Sequence, residues 1–553
     1  MSQNNNQIIY IGIRREDKSH WERRVAIIPD HVKQIQSMNP HIRFIVQPCN
    51  KRIFSNKEYE KSGATISEDL SPCVLIVGVK EVPIEKLLDH KTYMFFSHTI
   101  KAQHQNMPTL DKILEKHIRL IDYEKITDEH NNRLIAFGRF AGIAGAIDFL
   151  SGFGQFLITK QLSTAFLNIS LSYKYFNLKQ ANLQLKMVGK QLQDQEIPYD
   201  LRPLIFAVTG TGRCAKGAWE VLENFPIIKV NPDDLEALVQ NQDNPQHACH
   251  IYVCQIEAQH MAEHIYEKEN FNKKDYYENP HNYVQKFAQK YLPYISCIFN
   301  NMYWERKYPR LISDQDIKEL AEQGQSRLLG VSDVSCDFEG SIEFLKKFTT
   351  PDMPFYVYEP ISKKIHDDLF YRKNGILYLA LDFLPCELPY DASCHFSSQL
   401  LNWIQNIAQS DIDKPLEQSG LEDCIKKAVI THQGELTYKY RYIHKLRKAN
   451  EEVLKQENLM KSQKLGERVI SFQSLKIEGH LFDTNAINKI LDICQQYKMK
   501  FHVAEINAGQ TDEQTSNFIL QLFGSNKENM IFVLEEIENL AKQINLKIDQ
   551  SNY

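Results

Sequence analysis

Short apolar runs separated by amphipathic stretches recur from residue 8 to residue 383. Residues 8–13, 43–46, 73–79 and 94–97 are apolar runs of strand length. Between them, residues 29–37 and 107–116 repeat apolar positions at helical spacing. The first of these opens on Pro29, a residue suited to a helix start. Strands alternating with helices predict an α/β fold on a mostly parallel sheet. The longest apolar stretch, residues 137–158, contains Arg139, Asp148 and five glycines (Gly138, Gly142, Gly145, Gly152, Gly154). Two interior charges would be costly in a bilayer, so this stretch reads as a buried helix. Residues 159–200 are Gln-rich with a helical pattern. The apolar run 204–208 then leads directly into Thr209-Gly210-Thr211-Gly212-Arg213 and a helix over 215–223. Residues 251–256, 294–298, 328–334 and 376–383 read as further strands, and 392–408 as a helix. Residues 440–465 are charged and poor in apolar positions, as in a solvated helix or linker. A small α/β module follows: strand 469–475, helix 483–497, strand 500–506 and a mixed segment 529–544 ending in a helix. No fixed-period repeat is visible.

Composition narrows the class. The chain has 553 residues, 43% hydrophobic and 24% charged, which are ordinary globular values that exclude disorder. Net charge is −5 and the isoelectric point about 6.5, so nothing favours nucleic acid or an anionic membrane as partner. Eleven irregularly spaced cysteines read as reduced intracellular thiols. Residues 1–7 are polar, with no basic segment leading into an apolar one. The expectation is a cytoplasmic protein rather than a mitochondrial one.

Two places carry candidate chemistry. Gly210, Gly212 and Ala215 fit G-x-G-x-x-A between a strand and a helix, the setting in which bare backbone and a helix N-terminus accept a pyrophosphate. A tight turn binding nothing is the plain alternative. An NAD enzyme usually places Asp or Glu on the ribose about 20 residues further on. Here that segment is Ile228-Lys229-Val230-Asn231, without a carboxylate and with a lysine, which leans to NADPH over NADH; Asp233 and Asp234 lie just beyond. The second place is the pair of strand ends bearing Lys80 and His98, suited to acid/base work. The bland alternative pairs Lys80 with Glu81 and leaves His98 capping a loop. Arg14, with Glu16 and Arg24, forms either a carboxylate clamp or a solvated charge cluster. His247, Cys249, His250 and Cys254 lack the pairing of a metal site, so no metal is expected.

Long motifs in one order then point to a family. These are Ile13-Arg14-Arg15-Glu16-Asp17, Trp21-Glu22-Arg23-Arg24, Phe95-Phe96-Ser97-His98-Thr99-Ile100-Lys101-Ala102-Gln103, Leu120-Ile121-Asp122-Tyr123-Glu124-Lys125, Tyr303-Trp304-Glu305, Asp333-Val334-Ser335 and Gly340-Ser341-Ile342-Glu343-Phe344. Over residues 8–445 the chain resembles the lysine-ketoglutarate reductase half of α-aminoadipic semialdehyde synthase. Its tail, with Ser474-Leu475, Gly479-His480-Leu481-Phe482-Asp483, Phe501-His502 and Gly509-Gln510, is similar to the linking region of the plant bifunctional enzymes. More distantly the chain resembles fungal saccharopine dehydrogenase and alanine dehydrogenase.

The resemblance implies two Rossmann-like doubly wound domains with an active-site cleft between them, plus a small C-terminal α/β domain. The expected boundaries are 1–160, 161–370, a return segment 371–445, and 466–553. It implies NADPH-dependent condensation of L-lysine with 2-oxoglutarate to saccharopine, with no nucleic-acid or membrane partner and with a homo-oligomer open. It implies Lys80 and His98 as catalytic acid and base, and Arg14, Glu16, Arg24 and Glu124 at the substrates. It implies Arg133, Arg213 and Asp382 around the cofactor, joining Gly210, Thr211, Gly212 and Lys229 of the glycine turn and the strand after it, with Asp333 also expected there. The rivals are an NAD-dependent, lysine-forming saccharopine dehydrogenase, a catalytically silent lysine or nucleotide sensor, and an ammonia-using alanine dehydrogenase.

Overall fold

The computed structural model describes residues 8–267, 271–370, 375–451, 471–481, 484–497, 499–507, 515–524 and 527–551. The chain divides into two compact units. The larger takes residues 1–97 and 112–437, the smaller residues 98–111 and 438–553.

In the larger unit the early apolar runs become β1 (Ile9–Ile13), β2 (Ile42–Val46), β3 (Thr65–Ile66), β4 (Leu75–Val77), β5 (Thr92–Phe95) and β6 (Arg119–Asp122). They lie parallel in the order β3-β2-β1-β4-β5-β6. That is the usual 3-2-1-4-5-6 order of a dinucleotide-binding sheet, which reverses direction beside β1 and leaves a crevice at the carboxyl ends of β1 and β4. The helix Pro29–Met38 covers the sheet with Val32 and Ile35 buried. Each fully buried side chain of this size contributes roughly 1.5–3 kcal/mol.

A second sheet begins with β7 (Leu204–Thr209), β8 (Ile227–Val230) and β9 (Ile251–Ile256). A short antiparallel ribbon follows, β10 (Ala262–His264) with β11 (Tyr283–Gln285). The sheet resumes with β12 (Cys297–Asn300), β13 (Gly330–Asp333), β14 (Phe355–Glu359), β15 (Lys364–His366) and β16 (Ile376–Leu379). Its order is β15-β14-β16-β13-β12-β7-β9-β8. The segment from β8 to β16 across the sheet is parallel, and β14 runs antiparallel to β16. Here the second and third strands have exchanged places: β9 lies beside β7, and β8 is pushed to the edge. The chain then returns to the first sheet, where β17 (Val429–His432) pairs antiparallel with β6 and β18 (Glu435–Leu436) completes the edge.

The apolar stretch forms the helix Gly138–Thr159, and most of its side chains are buried within the protein. A Cβ on Gly142 would come within 1.8 Å of the Cys214 carbonyl oxygen, and one on Gly217 within 2.1 Å of the Arg139 oxygen. This helix and the helix Arg213–Leu222 therefore cross backbone to backbone, which fixes the start of the second helix. The helix expected over 392–408 is interrupted, Pro389–Leu400 being followed by Ile404–Gln409. The Gln-rich stretch is helical only over Leu178–Gln195.

In the smaller unit, β19 (Ser471–Gly479), the helix Ala486–Gln496, β20 (Lys500–Asn507), β21 (Ser516–Gly524), the helix Lys527–Gln543 and β22 (Lys547–Ser551) follow in turn. The sheet is antiparallel in the order β20-β21-β19-β22, a split βαβ arrangement. Leu475, Ile477, Ile490, Phe518, Leu520 and Ile537 form its core. Most of the expected linker 440–465 lies outside the described residues, as do Phe482, Asp483, Gly509 and Gln510.

Candidate active site

Lys80 follows β4 at the carboxyl edge of the first sheet. Glu16, in the loop after β1, accepts the backbone N–H groups of Val79 (2.6 Å) and Lys80 (2.9 Å). A Cβ on Gly78 would sit only 3.3 Å from that carboxylate. Because β1 and β4 are neighbours, two loops far apart in sequence are tied at one point. Burial pushes the Glu16 carboxyl up to about 7, with the nearby Glu22 charge adding to the effect. The alternative of a Lys80–Glu81 pair fails, since Glu81 pairs with Lys18 at 2.6 Å. Lys80 instead acts electrostatically on Glu22 and on the Cys386 thiol.

Glu22 and Arg24 are both buried. They form a bidentate pair, with Arg24 Nε donating to Glu22 Oε1 (2.8 Å) and Nη2 to Oε2 (2.6 Å). The guanidinium also lies 4.2 Å over the Phe137 ring. Burial opposes ionisation of Glu22, yet the Arg24 and Lys80 charges hold it below its ordinary value. Cys386 Sγ donates to Glu22 Oε2 at 3.6 Å. The solvated charge cluster is thus corrected, since Arg14, Glu16 and Arg24 are all buried. Arg24 is spent on Glu22, and Arg14, also buried, pairs with Asp17 and donates to the Arg15 carbonyl (2.8 Å). Glu124 pairs with Arg133, whose own side chain is exposed. Next to it Asp122, raised to about 6 by burial, accepts the Ser97 hydroxyl (2.5 Å) and the Ser97 and Glu124 N–H groups.

His98 follows Ser97 directly and belongs to the smaller unit. Its backbone is left-handed (φ 54°, ψ 18°), as is that of Ala102 (φ 48°, ψ 34°), so a strained turn brackets residues 99–101. Side chains from the segment after β18 hold that turn. Tyr442 Oη donates to the Ile100 carbonyl (3.1 Å), and Asn450 Nδ2 to the carbonyls of Lys101 (3.0 Å) and Ala102 (2.9 Å). Arg447 makes a bidentate pair with Asp111, and Asn106 donates to the His98 carbonyl (3.0 Å).

The glycine turn opens onto a cavity of about 440 Å³ at the carboxyl edge of the second sheet. Gly210, Thr211, Gly212 and Arg213 form one wall. Glu257, Lys273, Tyr276, Asn301 and Tyr303 contribute to the others. Gly210 has φ +76°, and a Cβ there would press on Asn301 and Met302. A Cβ on Gly212 would meet nothing within 4 Å. No side chain caps the helix that Gly212 begins. Open space above the turn and an uncapped helix start fit a dinucleotide pyrophosphate. Arg213 and Arg133 are brought together, Arg213 Nη2 donating to the Arg133 carbonyl at 2.5 Å.

Lys229 does not join them. It sits on the edge strand β8, paired with Glu223 (2.9 Å) and lying over the Trp219 ring (4.7 Å). Asp333 is buried, accepting from Asn300, Ser335 and Tyr378. Asp382 is exposed on a turn. None of these three lines the cavity. Among the described residues no cluster of His, Cys, Asp and Glu is arranged to hold a metal.

Residues 12–144 match the alanine dehydrogenase/PNT N-terminal domain, 359–439 its C-terminal domain, and 472–552 the LOR/SDH bifunctional enzyme conserved region. A solved L-alanine dehydrogenase shares the fold, with a TM-score of 0.51 at 14% identity over 80% of this chain and all of that one. Alpha-aminoadipic semialdehyde synthase of Arabidopsis thaliana is 36% identical over 96% of this chain, and the mitochondrial synthase of Bos taurus 37% over 80%. The chain is a homologue of the α-aminoadipic semialdehyde synthases. It spans about half the length of these relatives (50% and 48%). The Neurospora crassa saccharopine dehydrogenase [NAD(+), L-lysine-forming] is 31% identical over 24% of the chain and 36% of that protein.

Three site residues of this synthase homologue escaped the reading of its sequence. Glu22 lies within Trp21-Glu22-Arg23-Arg24, but its burial against Arg24 leaves no mark on the spacing. Cys386 was hidden because its partner Glu22 is distant in the chain. Glu257 directly follows a correctly expected strand, whose place beside β7 depends on long-range pairing.

Proposed function

We propose that this chain condenses L-lysine with 2-oxoglutarate and reduces the resulting imine to saccharopine, using a nicotinamide dinucleotide on the Gly210–Gly212 turn. The supporting observation is Lys80, fixed by its own N–H to Glu16 at the carboxyl end of β4, in a chain whose relatives are named for aminoadipic semialdehyde and saccharopine chemistry. The bound nucleotide supplies hydride to the imine carbon. The chain's own groups move protons. A base frees the lysine ε-amine for attack on the keto carbon, and an acid protonates the departing hydroxyl. Lys80, beside the Glu22 charge, serves as the acid and His98 as the base, although the two roles can be exchanged. The bond from the Lys80 N–H to Glu16 holds the end of β4 without reorganisation.

The test is an assay of the whole chain with lysine, 2-oxoglutarate and reduced nucleotide, reading nucleotide oxidation and the saccharopine formed. Lys80→Met and His98→Gln should each lower kcat by about 10²–10⁴-fold with a smaller change in KM. Near-normal turnover in both variants would refute the assignment. Turnover with ammonia and pyruvate instead would point to the alanine dehydrogenase reading.

A further inference from the structure

We propose that Asp148 and Glu387 share one buried proton, and that this proton makes them positioning residues for the Glu22–Arg24 pair by clamping the segment that supports it. The inference deepens the proposed function and rests on it only for its turnover readout.

Asp148 lies midway along the helix Gly138–Thr159, and Glu387 ends the short helical turn Leu384–Glu387. Their side chains are 0% and 2% exposed and lie within hydrogen-bonding reach of each other. Asp148 Oδ1 accepts the Ser172 N–H (2.6 Å). Asp148 Oδ2 and both Glu387 oxygens meet no donor from the rest of the described residues. No lysine, arginine or histidine among those residues acts on either carboxyl. Tyr173, next to Ser172, also faces them: burial, the two carboxyls and Asp352 together raise its phenol, and Lys174 lies 5.9 Å over its ring. Two anions side by side here would have neither water nor a cation to compensate them, so the pair keeps a proton. Glu387 then donates its O–H to Asp148 Oδ2 in a charge-assisted bond. Burial and the Asp148 charge hold the Glu387 carboxyl well above its ordinary value.

The turn that Glu387 ends belongs to the segment supporting the buried pair of the first sheet. Cys386 Sγ donates to Glu22 Oε2 (3.6 Å). The helix Pro389–Leu400 follows at once, and its Ser393 and Ser397 hydroxyls accept the N–H groups of Val25 and Ile28 (3.0 Å each). Tyr173 packs against Trp21, with ring centroids 5.7 Å apart. The two carboxyls therefore stand where the central helix meets the groups that hold residues 21–28. With the proton in place the turn is bound to the helix. When the proton leaves, the carboxylates repel, the turn opens and Cys386 leaves Glu22.

The test compares the parent with Glu387→Gln, whose amide N–H donates to Asp148 at every pH, and with Glu387→Ala, which has no donor. Cys386 reports on the turn independently of the reaction. The full chain is alkylated with iodoacetamide, and labelling of Cys386 is read by peptide mass spectrometry relative to the half-buried Cys49. Each pH unit above the point where the proton leaves favours the opened turn by a further factor of about ten. From about pH 7 to about pH 10 the labelling ratio should thus rise at least about tenfold more in the parent than in Glu387→Gln. Glu387→Ala should label faster than the parent already at neutral pH. In turnover, Glu387→Gln should match the parent's kcat at neutral pH within about twofold and hold it to higher pH, with KM little changed. A labelling ratio that rises equally in the parent and Glu387→Gln overturns the inference, as does labelling in Glu387→Ala no faster than the parent's; the first comparison stands even where Glu387→Ala does not fold. Labelling that differs while kcat follows pH identically overturns the positioning role. Labelling that differs in a parent that does not consume lysine and 2-oxoglutarate supports the shared proton and overturns the proposed reaction instead.

Discussion

The two sheets of the larger unit solve the same problem in opposite ways. The first keeps the usual strand order and fills its carboxyl edge with side-chain charges that are already paired: Arg24 with Glu22, Arg14 with Asp17, and Glu16 with two backbone N–H groups. The second exchanges two strands and presents bare backbone, with a positive-φ glycine, an uncapped helix start and an open cavity. One edge holds its charged groups still with fixed partners. The other leaves room for a large anionic ligand. The difference teaches that charge count does not locate binding capacity: the arginines nearest the proposed chemistry are the least available to bind a second carboxylate.

Breaking the pre-paired edge should have the largest effect. Arg24→Met leaves the buried Glu22 carboxylate with Lys80, the Cys386 thiol and the backbone N–H of residue 24, but without its guanidinium. Removal of one partner from a buried pair costs about 3–5 kcal/mol. Urea unfolding should therefore show that loss. The double variant Glu22→Gln with Arg24→Met should recover part of it, because no unpaired charge remains. A single variant as stable as the parent would mean the pair is wet and the contrast between the sheets false.

Titration of Glu16 probes the same edge more gently. Its carboxyl titrates at about 7 in the fold, against an ordinary value of 4.5, because burial disfavours the ion. The folded state thus holds a proton that the unfolded chain has already released. Stability from this group is complete below about pH 4.5 and declines as pH rises to about 7, by roughly 3 kcal/mol in all. Asp122, raised to about 6, acts in the same sense. Glu16→Gln should flatten the fall in urea midpoint between pH 5 and 8 while keeping the Asp122 share. A slope matching the parent's would show that Glu16 is not buried in solution.

The second edge breaks through its backbone. Gly217→Ala places a methyl 2.1 Å from the Arg139 carbonyl, so the helix Arg213–Leu222 must retreat from the helix Gly138–Thr159. Overpacking of this kind costs about 1–3 kcal/mol. Because the shift moves the helix start at Gly212, dinucleotide affinity should fall together with the melting temperature. Normal affinity in a destabilised variant would separate the crossing from the site.

How legible all this was follows from the same contrast. Apolar runs placed β1, β2, β4, β7 and β9 within a few residues, because buried parallel strands write themselves as continuous hydrophobic segments. The glycine turn was legible too, since its chemistry is local. Strand order was not, because β9 and β8 have similar local patterns and only long-range pairing decides which lies beside β7. Lys229 was placed by counting along the chain, whereas what lines the cavity depends on neighbours across the sheet. Lys80 and Glu16 were both named, but the bond that ties them awaited the adjacency of β1 and β4.

His98 sharpens the comparison with the smallest energetic step. Its turn carries two left-handed non-glycine residues, and such strain persists only where surrounding groups over-determine it. Neutral groups help to fix the turn: Asn450 donates to two carbonyls and Tyr442 to a third. Asn450→Ala removes bonds to carbonyls that water can partly replace, so global stability should drop by only about 1 kcal/mol. Hydrogen exchange across residues 98–103 should nevertheless accelerate, and kcat should fall several-fold with KM little changed, since a few tenths of an ångström at a proton-transfer group reaches the rate before the binding. Asn450→Gln, with the same amide on a longer stem, should restore some of the protection. If exchange over 98–103 is unaltered in Asn450→Ala, the turn is held by its own residues, and the segment after β18 has no part in placing the histidine.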